Sequence, residues 1–200
     1  MLDFVKKYGF NQFSQNGEDG ILEEVLSRIG IRGRAVEFGG ADGTFCSNTA
    51  KLFNEGWSGK LIEGDEMLFG QMLNNSKLPE EIEMENAFVT PENVNHLVGK
   101  CDMLSIDIDG NDYNVWKAYK HKPPVVVIEI NSDVKPEDIV YDRGTSFNPM
   151  VELGIEKGYF LLCHTGNLIF IDEKYKKLFP EVKGNPLTDY KNYFNYSWIQ

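Results

Sequence analysis

Three carboxylates, Asp107, Asp109 and Asp112, fall within six residues in the stretch "SIDIDGNDY", directly after an apolar run. Like charges that close raise one another's pKa, so the cluster needs a cation, a set of donors or open water to stay ionised. The spacing does not suit a calcium loop. Counting from Asp107, the sixth position is Asp112 and the twelfth Ala118, where an EF-hand needs Gly and Glu. If the preceding run is a strand, Asp107 and Asp109 alternate with Ile106 and Ile108 and point to one face at its end. Glu129 and Asn131 close a second apolar run, "VVVIEIN", with the same alternation. Asp107, Asp109, Glu129 and Asn131 thus form an oxygen-rich set of the kind that Mg²⁺ or another hard divalent cation prefers. Asp107 or Asp109 would serve equally as a general base without a metal. Asp112 reads as the N-cap or first-turn acid of the helix "YNVWKAY", favoured there by the helix dipole.

A second candidate site is "VEFGGADGTF", where Gly39, Gly40 and Gly43 stand between a strand and a helix. Without Cβ atoms such a loop can turn tightly and approach a ligand closely. It lacks the full G-x-G-x-x-G spacing of dinucleotide binders, and a carboxylate, Glu37, precedes it. Glu63 ends the next strand, where a ribose diol would be held. A ribose-bearing cofactor without a pyrophosphate fits this pattern better than NAD.

These residues need a scaffold, and the chain supplies apolar bursts alternating with segments of helical period, the signature of a parallel sheet. "EDGILEEVLSRIG" puts Ile21, Leu22, Val25, Leu26 and Ile29 on one stripe and stops at Gly30. Strands are expected at 35–38, in "GKLIEGD", within "EIEMENAFV", in "CDMLSIDI" and in "VVVIEI", the last apolar on both faces. Between them lie helices over 47–55, capped by Ser47, over "EMLFGQMLNN", over "PENVNHLVG" with proline in its first turn, and over 113–119. After a helix in "NPMVELGIEKG", the runs "YFLLCH" and "NLIFID" are close enough to pair as a hairpin around Thr165 and Gly166.

Composition agrees with one domain over 1–200: a helical segment at about 1–30, a core at about 31–175 and an aromatic tail at about 176–200. A chain of 200 residues that is 42% apolar and 12% aromatic can bury a full core. The net charge of −11 is the wrong sign for nucleic acid. Cys46, Cys101 and Cys163 show no CxxC spacing and read as buried free thiols in a reducing compartment. No apolar run is long enough to span a membrane, so a soluble, cytoplasmic protein is expected. Nothing in the sequence sets an oligomeric state.

Taken in order, "FSQNGEDGIL", "VEFGGADGTFCSNT", "GWSGKLIEGD", "LSIDIDGNDYNVW", "VVVIEIN" and "GTSFNPMVELGIEKGYFLL" resemble the motifs of FkbM-type S-adenosylmethionine-dependent methyltransferases, covering 13–172. The resemblance implies a Rossmann-like methyltransferase fold: a mostly parallel seven-stranded sheet ending in an antiparallel hairpin, with helices on both faces. It implies that Glu37, Gly39, Ala41 and Gly43 cradle the methionine part of the cofactor and that Glu63 holds the ribose hydroxyls. Gln15 then lies in a block that closes over the cofactor, and Asn48 and Thr49 either touch ligand or open the helix. Asp65 reads as a helix cap. The implied reaction is O-methylation of a hydroxyl on a small-molecule or glycan acceptor, with Asp107 and Asp109 at the reacting group, directly or through the cation.

The acceptor itself is not written in the sequence. The irregular loop over 132–147 is a candidate lid, in which Tyr141, Arg143 and Ser146 could line an acceptor. His164 is a possible base, though a lone histidine closing a strand reads first as structural. The aromatic tail, including Tyr190, Tyr193, Phe194, Tyr196 and Trp198, reads as packing back on the core. A non-catalytic cofactor- or sugar-nucleotide-binding module and an NAD-dependent oxidoreductase are the competing classes.

Overall fold

A strand apolar on both faces must be covered on both, and that demand organises the chain. The computed structural model describes residues 1–141 and 144–199, apart from the side chain of Trp198, so Arg143 and the Trp198 ring lie outside the described residues. Seven strands form one sheet: β1 (Arg34–Phe38), β2 (Ser58–Glu63), β3 (Glu83–Asn86), β4 (Met103–Ile106), β5 (Val125–Glu129), β6 (Tyr159–His164) and β7 (Asn167–Asp172). Their order is β3-β2-β1-β4-β5-β7-β6. The first five strands run parallel, and β7 enters antiparallel beside β5 with β6 on the edge. This is the mostly parallel, hairpin-ended sheet that the sequence indicates.

The pleat of β5 shows how the core is divided. Val126 and Ile128 pack into one layer with Phe38, Trp116 and Phe147, while Val125 and Val127 pack into the other with Ile21, Leu22 and Phe53. Helices α1 (Leu2–Tyr8) and α2 (Glu18–Ile29) lead into the sheet, and α2 buries the expected stripe before ending on left-handed Gly30. The crossovers are α3 (Ala50–Asn54), α4 (Glu66–Leu73), α5 (Val94–Val98) and α6 (Asp112–Ala118), followed by α7 (Phe147–Glu156) and a short α8 (Tyr190–Tyr193).

Boundaries shift by a residue or more at several elements, three of which are instructive. The helix α3 begins at Ala50 with Thr49, not Ser47, at its N-cap, and Ser47 Oγ supports the turn before it by accepting the Thr49 and Ala50 N–H groups at 3.2 and 3.0 Å. Pro91 lies outside α5, since 91–93 form a turn in which Thr90 O accepts from Asn93 and Val94. β4 ends at Ile106, one residue before the first carboxylate of interest.

The tail packs inward in part, with Tyr190 half-buried and Tyr196 exposed. Tyr193 and Phe194 are fully buried, and Phe194 stacks on His164 with ring centroids 4.5 Å apart. Of the cysteines only Cys163 is fully buried; Cys46 and Cys101 are half-buried free thiols. Among the described residues no helix is long and apolar enough to cross a membrane.

Candidate active site at the sheet switch point

Beyond β1 the chain turns towards α3, while beyond the adjacent β4 it turns towards β5, and such a switch point opens a crevice at the strands' carboxyl ends. Gly39 makes the crevice possible. Its N–H continues the ladder to Ile62 O at 3.1 Å, its φ is 76°, and a Cβ there would lie 1.4 Å from Asp107 O. Only glycine lets the two loops cross that closely. Ala41 and Cys46 also hold left-handed φ of 46° and 59°, backbone strain of the kind that gathers at functional sites.

Glu63, at the end of β2, fixes this loop. Its carboxylate accepts the Ala41 N–H at 2.9 Å and the Asp65 N–H at 2.8 Å. Beside it lies a cavity of about 490 Å³ walled by Gly39, Ala41, Glu63, Phe88, Asp107 and Asp109. Its lining combines apolar residues, Ile62, Leu68, Phe88 and Val89, with the acids Glu63, Asp65, Asp107 and Asp109. Asp65 caps α4 through the Met67 and Leu68 N–H groups, both at 2.9 Å, as the sequence suggests.

Two residues of the expected cofactor cradle stand behind this wall. Glu37 is buried, and its carboxylate accepts from Ser47 Oγ at 2.5 Å, Thr49 Oγ1 at 2.7 Å and the Asn48 N–H at 2.8 Å. It therefore ties β1 to the start of α3, and Asn48 and Thr49 are its partners. Gly43, at φ 81°, turns against Leu78, whose side chain a Cβ would meet at 2.6 Å. Sequence reasoning missed Gly64 and Phe88. A Cβ on Gly64 would lie 2.4 Å from the Phe88 ring, which is 75% exposed on the cavity rim. The available signal was an aromatic residue just after the weakly patterned third strand.

Past β4 the carboxylates are brought together by a turn, which corrects the expected pleat alternation. Asp109 has φ 55° and Gly110 φ 133°, so the chain doubles back after Asp107. Asp112, buried in the first turn of α6, holds that turn by accepting the Ile108 and Gly110 N–H groups at 2.9 and 3.0 Å. Asp107, Asp109 and Glu129 each offer an oxygen within 4.8 Å of the others. Asp107 and Glu129 are close enough that both cannot ionise cheaply without a proton or a cation between them. Burial first, then the charge of Glu129, pushes the Asp107 carboxyl well above its usual range. Glu129 is raised by burial and by Asp112 and Asp109. Burial also raises Asp112.

A second cavity, about 480 Å³, opens on the other side of these acids. Asp107, Asp109, Glu129 and Asn131 all line it, with Gln15, Asn16, Ser132 and Asp133. Asp107 and Asp109 are thus common to both cavities. Gln15 belongs to this second cavity, and its amide reaches Cys46 Sγ. The turn that carries it is clamped by Asp19, which accepts the Gln12, Phe13 and Ser14 N–H groups at 2.7, 2.7 and 2.8 Å. Sequence reading passed over Asp19 because an acid in a first helical turn looks like an ordinary cap.

In the loop over 132–147, Gly144 reaches the second cavity, whereas Ser146 is buried with its Oγ donating to Asp138 O at 2.7 Å. Tyr141 packs edge-on against Tyr113 at 5.3 Å. His164 is 1% exposed; its Nδ1 accepts the Asn195 N–H at 3.2 Å and its Nε2 meets Ser132 Oγ at 2.8 Å. Burial pulls its pKa down to about 4, so it is a neutral brace between the tail and the cavity floor. His96 is exposed and His121 half-buried.

No protein-family model and no curated protein matches the chain. Solved structures match in fold. A candidate caffeoyl-CoA O-methyltransferase from Staphylococcus aureus aligns at TM-score 0.55 and 15% identity, covering 84% of this chain and 88% of its own. The N-terminal domain of EvdMO1, solved with S-adenosylhomocysteine bound, aligns at 0.54 and 11%, covering 79% and 80%. An S-adenosylmethionine-dependent methyltransferase from Clostridium acetobutylicum aligns at 0.52 and 9%, covering 76% and 88%. The chain has the Rossmann-like fold of these methyltransferases.

Proposed function

We propose that the chain is an S-adenosylmethionine-dependent methyltransferase acting on a hydroxyl of a sugar, glycolipid or metabolite, as the resemblance of its motifs to the FkbM-type family suggests. One observation carries the reading: Asp107 and Asp109 form the wall between the two cavities. A ligand seated on Glu63 and another seated on Glu129 would meet at that wall, which is the proximity a group transfer needs.

The first cavity suits the cofactor by its chemistry. Glu63 keeps lone pairs for ribose hydroxyls after accepting from Ala41 and Asp65. Ile62, Phe88 and Val89 offer an apolar face to a flat base, and Asp107 and Asp109 favour a cationic end. Among the described lining residues of that cavity there is no Lys, Arg or His to meet a pyrophosphate, which disfavours NAD. When bound, S-adenosylmethionine supplies an electrophilic methyl group on a sulfonium.

The second cavity then takes the acceptor. Once unprotonated, the Asp107–Glu129 pair can accept the proton of a hydroxyl placed against it. Asp107, Asp109 and Glu129, with Asn131 beside them, are also the residues that would hold a divalent cation, whose contribution there would be to lower the hydroxyl pKa. A non-catalytic binding module would need only one cavity, so the shared acidic wall favours catalysis.

Calorimetry with S-adenosylhomocysteine and NAD, followed by transfer of labelled methyl to a panel of glycans and lipids, tests the proposal. It is supported by binding of the sulfur cofactor together with transfer. Binding of NAD alone, or of neither, overturns it. Turnover after EDTA treatment separates the two arrangements: full activity assigns the proton to the carboxylate pair, and loss restored by Mg²⁺ assigns it to the cation site.

A further inference from the structure

The second cavity differs from most small-molecule sites, which are predominantly apolar. Among the side chains that line it, only Ile130 is apolar. Four are carboxylates, Asp107, Asp109, Glu129 and Asp133, and the rest that carry functional groups are the amides of Gln15, Asn16, Asn131 and Asn167 and the hydroxyl of Ser132. Among the described lining residues there is no Lys, Arg or His.

The charge balance does not depend on whether a metal is used. A divalent cation at Asp107, Asp109 and Glu129 would offset only part of the four lining carboxylates, and without one the described charged lining is acidic throughout. Asp133 is exposed at the mouth and stands apart from that trio. Its backbone N–H donates to Asn131 Oδ1 at 3.2 Å, which keeps it beside the amide row. Among the described lining residues an anionic acceptor would meet like charge in either case. The side-chain amides of Gln15, Asn16 and Asn167 bring both donors and acceptors to the cavity, which suits a ring bearing several hydroxyls. A cavity of about 480 Å³ has room for one sugar-sized ring.

Resting on the methyltransferase reading above, we infer that the acceptor is a compact polyol carrying a protonated amine, an amino sugar or aminocyclitol, and that phosphorylated, carboxylated and nucleotide-linked sugars are excluded. The ammonium group pairs with Asp133 at the mouth while hydroxyls reach the amide row and the Asp107–Glu129 pair. Specificity then comes from repelling the wrong charge as much as from attracting the right one.

The test uses the full chain saturated with S-adenosylhomocysteine, with glucosamine, glucose and glucose 6-phosphate titrated in by calorimetry, with and without Mg²⁺. Glucosamine should bind about tenfold more tightly than glucose, with that margin narrowing at high salt, and glucose 6-phosphate should bind most weakly in both series. In Asp133→Asn the glucosamine-to-glucose affinity ratio should fall severalfold. Equal or tighter binding of glucose 6-phosphate, an unchanged ratio in Asp133→Asn, or no binding of any probe overturns the acceptor assignment while leaving the methyltransferase reading intact. Failure of S-adenosylhomocysteine to bind in the first step overturns the methyltransferase reading itself.

Discussion

The carboxyl groups of Asp107, just past β4, and Glu129, at the end of β5, face each other across the crevice with oxygens within 4.8 Å of one another. Neighbouring parallel strands put both at the same level, because Ile106 is in register with Ile128. The pairing is costly unless the pair stays protonated or a cation replaces the proton.

Activity without added cation should therefore rise with pH through neutrality and above, instead of levelling off near the usual carboxylate range, because the proton must leave the pair before it can act as base. Glu129→Gln should lower turnover by about 10²–10⁴-fold and abolish that limb, while S-adenosylhomocysteine still binds, since Glu129 touches only the second cavity. A pH–rate profile of both proteins checks this; a limb that survives in Glu129→Gln contradicts it. Both folded pKa values are raised, so the pair's contribution is present at low pH and lost as pH rises.

Phe88 is 75% exposed, so Phe88→Ala should leave the melting temperature nearly unchanged. If its ring covers the base of the cofactor, affinity for S-adenosylhomocysteine should drop by about 1–2 kcal/mol. Glu63→Ala should cost more affinity, about 2–3 kcal/mol, because it removes the diol partner and also releases the Ala41 and Asp65 N–H groups. Equal affinities across wild type and both variants would show that the ligand sits elsewhere.

Glu37 should behave as a structural residue. Glu37→Gln retains the shape but cannot accept from Ser47, Asn48 and Thr49 together, so denaturant titration should show a loss of about 2–4 kcal/mol. At a temperature where the variant is folded, its cofactor affinity should be close to wild type. A large affinity loss at unchanged stability would instead place Glu37 on the ligand.

His164 sets an acid limit on stability. Its folded pKa, about 4, lies below the 6.5 of a free histidine, so the folded state resists protonation. The stability it allows is full above pH 6.5 and falls by about 3 kcal/mol as pH drops towards 4. His164→Phe, measured by denaturation at pH 7 and pH 4.5, should show a shallower loss than wild type. Identical losses would mean that His164 does not carry the dependence.

Much of the scaffold was legible because its signals are periodic or local. The apolar run of β5, the stripe of α2 and the Asp65 cap each depend on neighbours in sequence, and each appears in the fold as read. The site was legible only as a set of residues. A carboxylate such as Glu37 looks the same in sequence whether it faces a ligand or three hydrogen-bond donors of the next helix. Asp109 meets Asp107 through a left-handed turn, and alternation along a strand gives no hint of that. Gln15 sits in a turn that Asp19 holds through side-chain-to-backbone bonds, which leave no periodic signal, and Phe88 follows an edge strand, "EMEN", with no apolar pattern to announce it.

The central claim is that two ligands meet at the wall formed by Asp107 and Asp109. A crystal structure of the chain with S-adenosylhomocysteine tests it most directly. The account predicts the ribose on Glu63, the base against Phe88 and the sulfur facing Asp107, with the cavity of Glu129 and Asn131 left open beside it. A cofactor bound away from Glu63, or one that fills the Glu129 cavity, would contradict it.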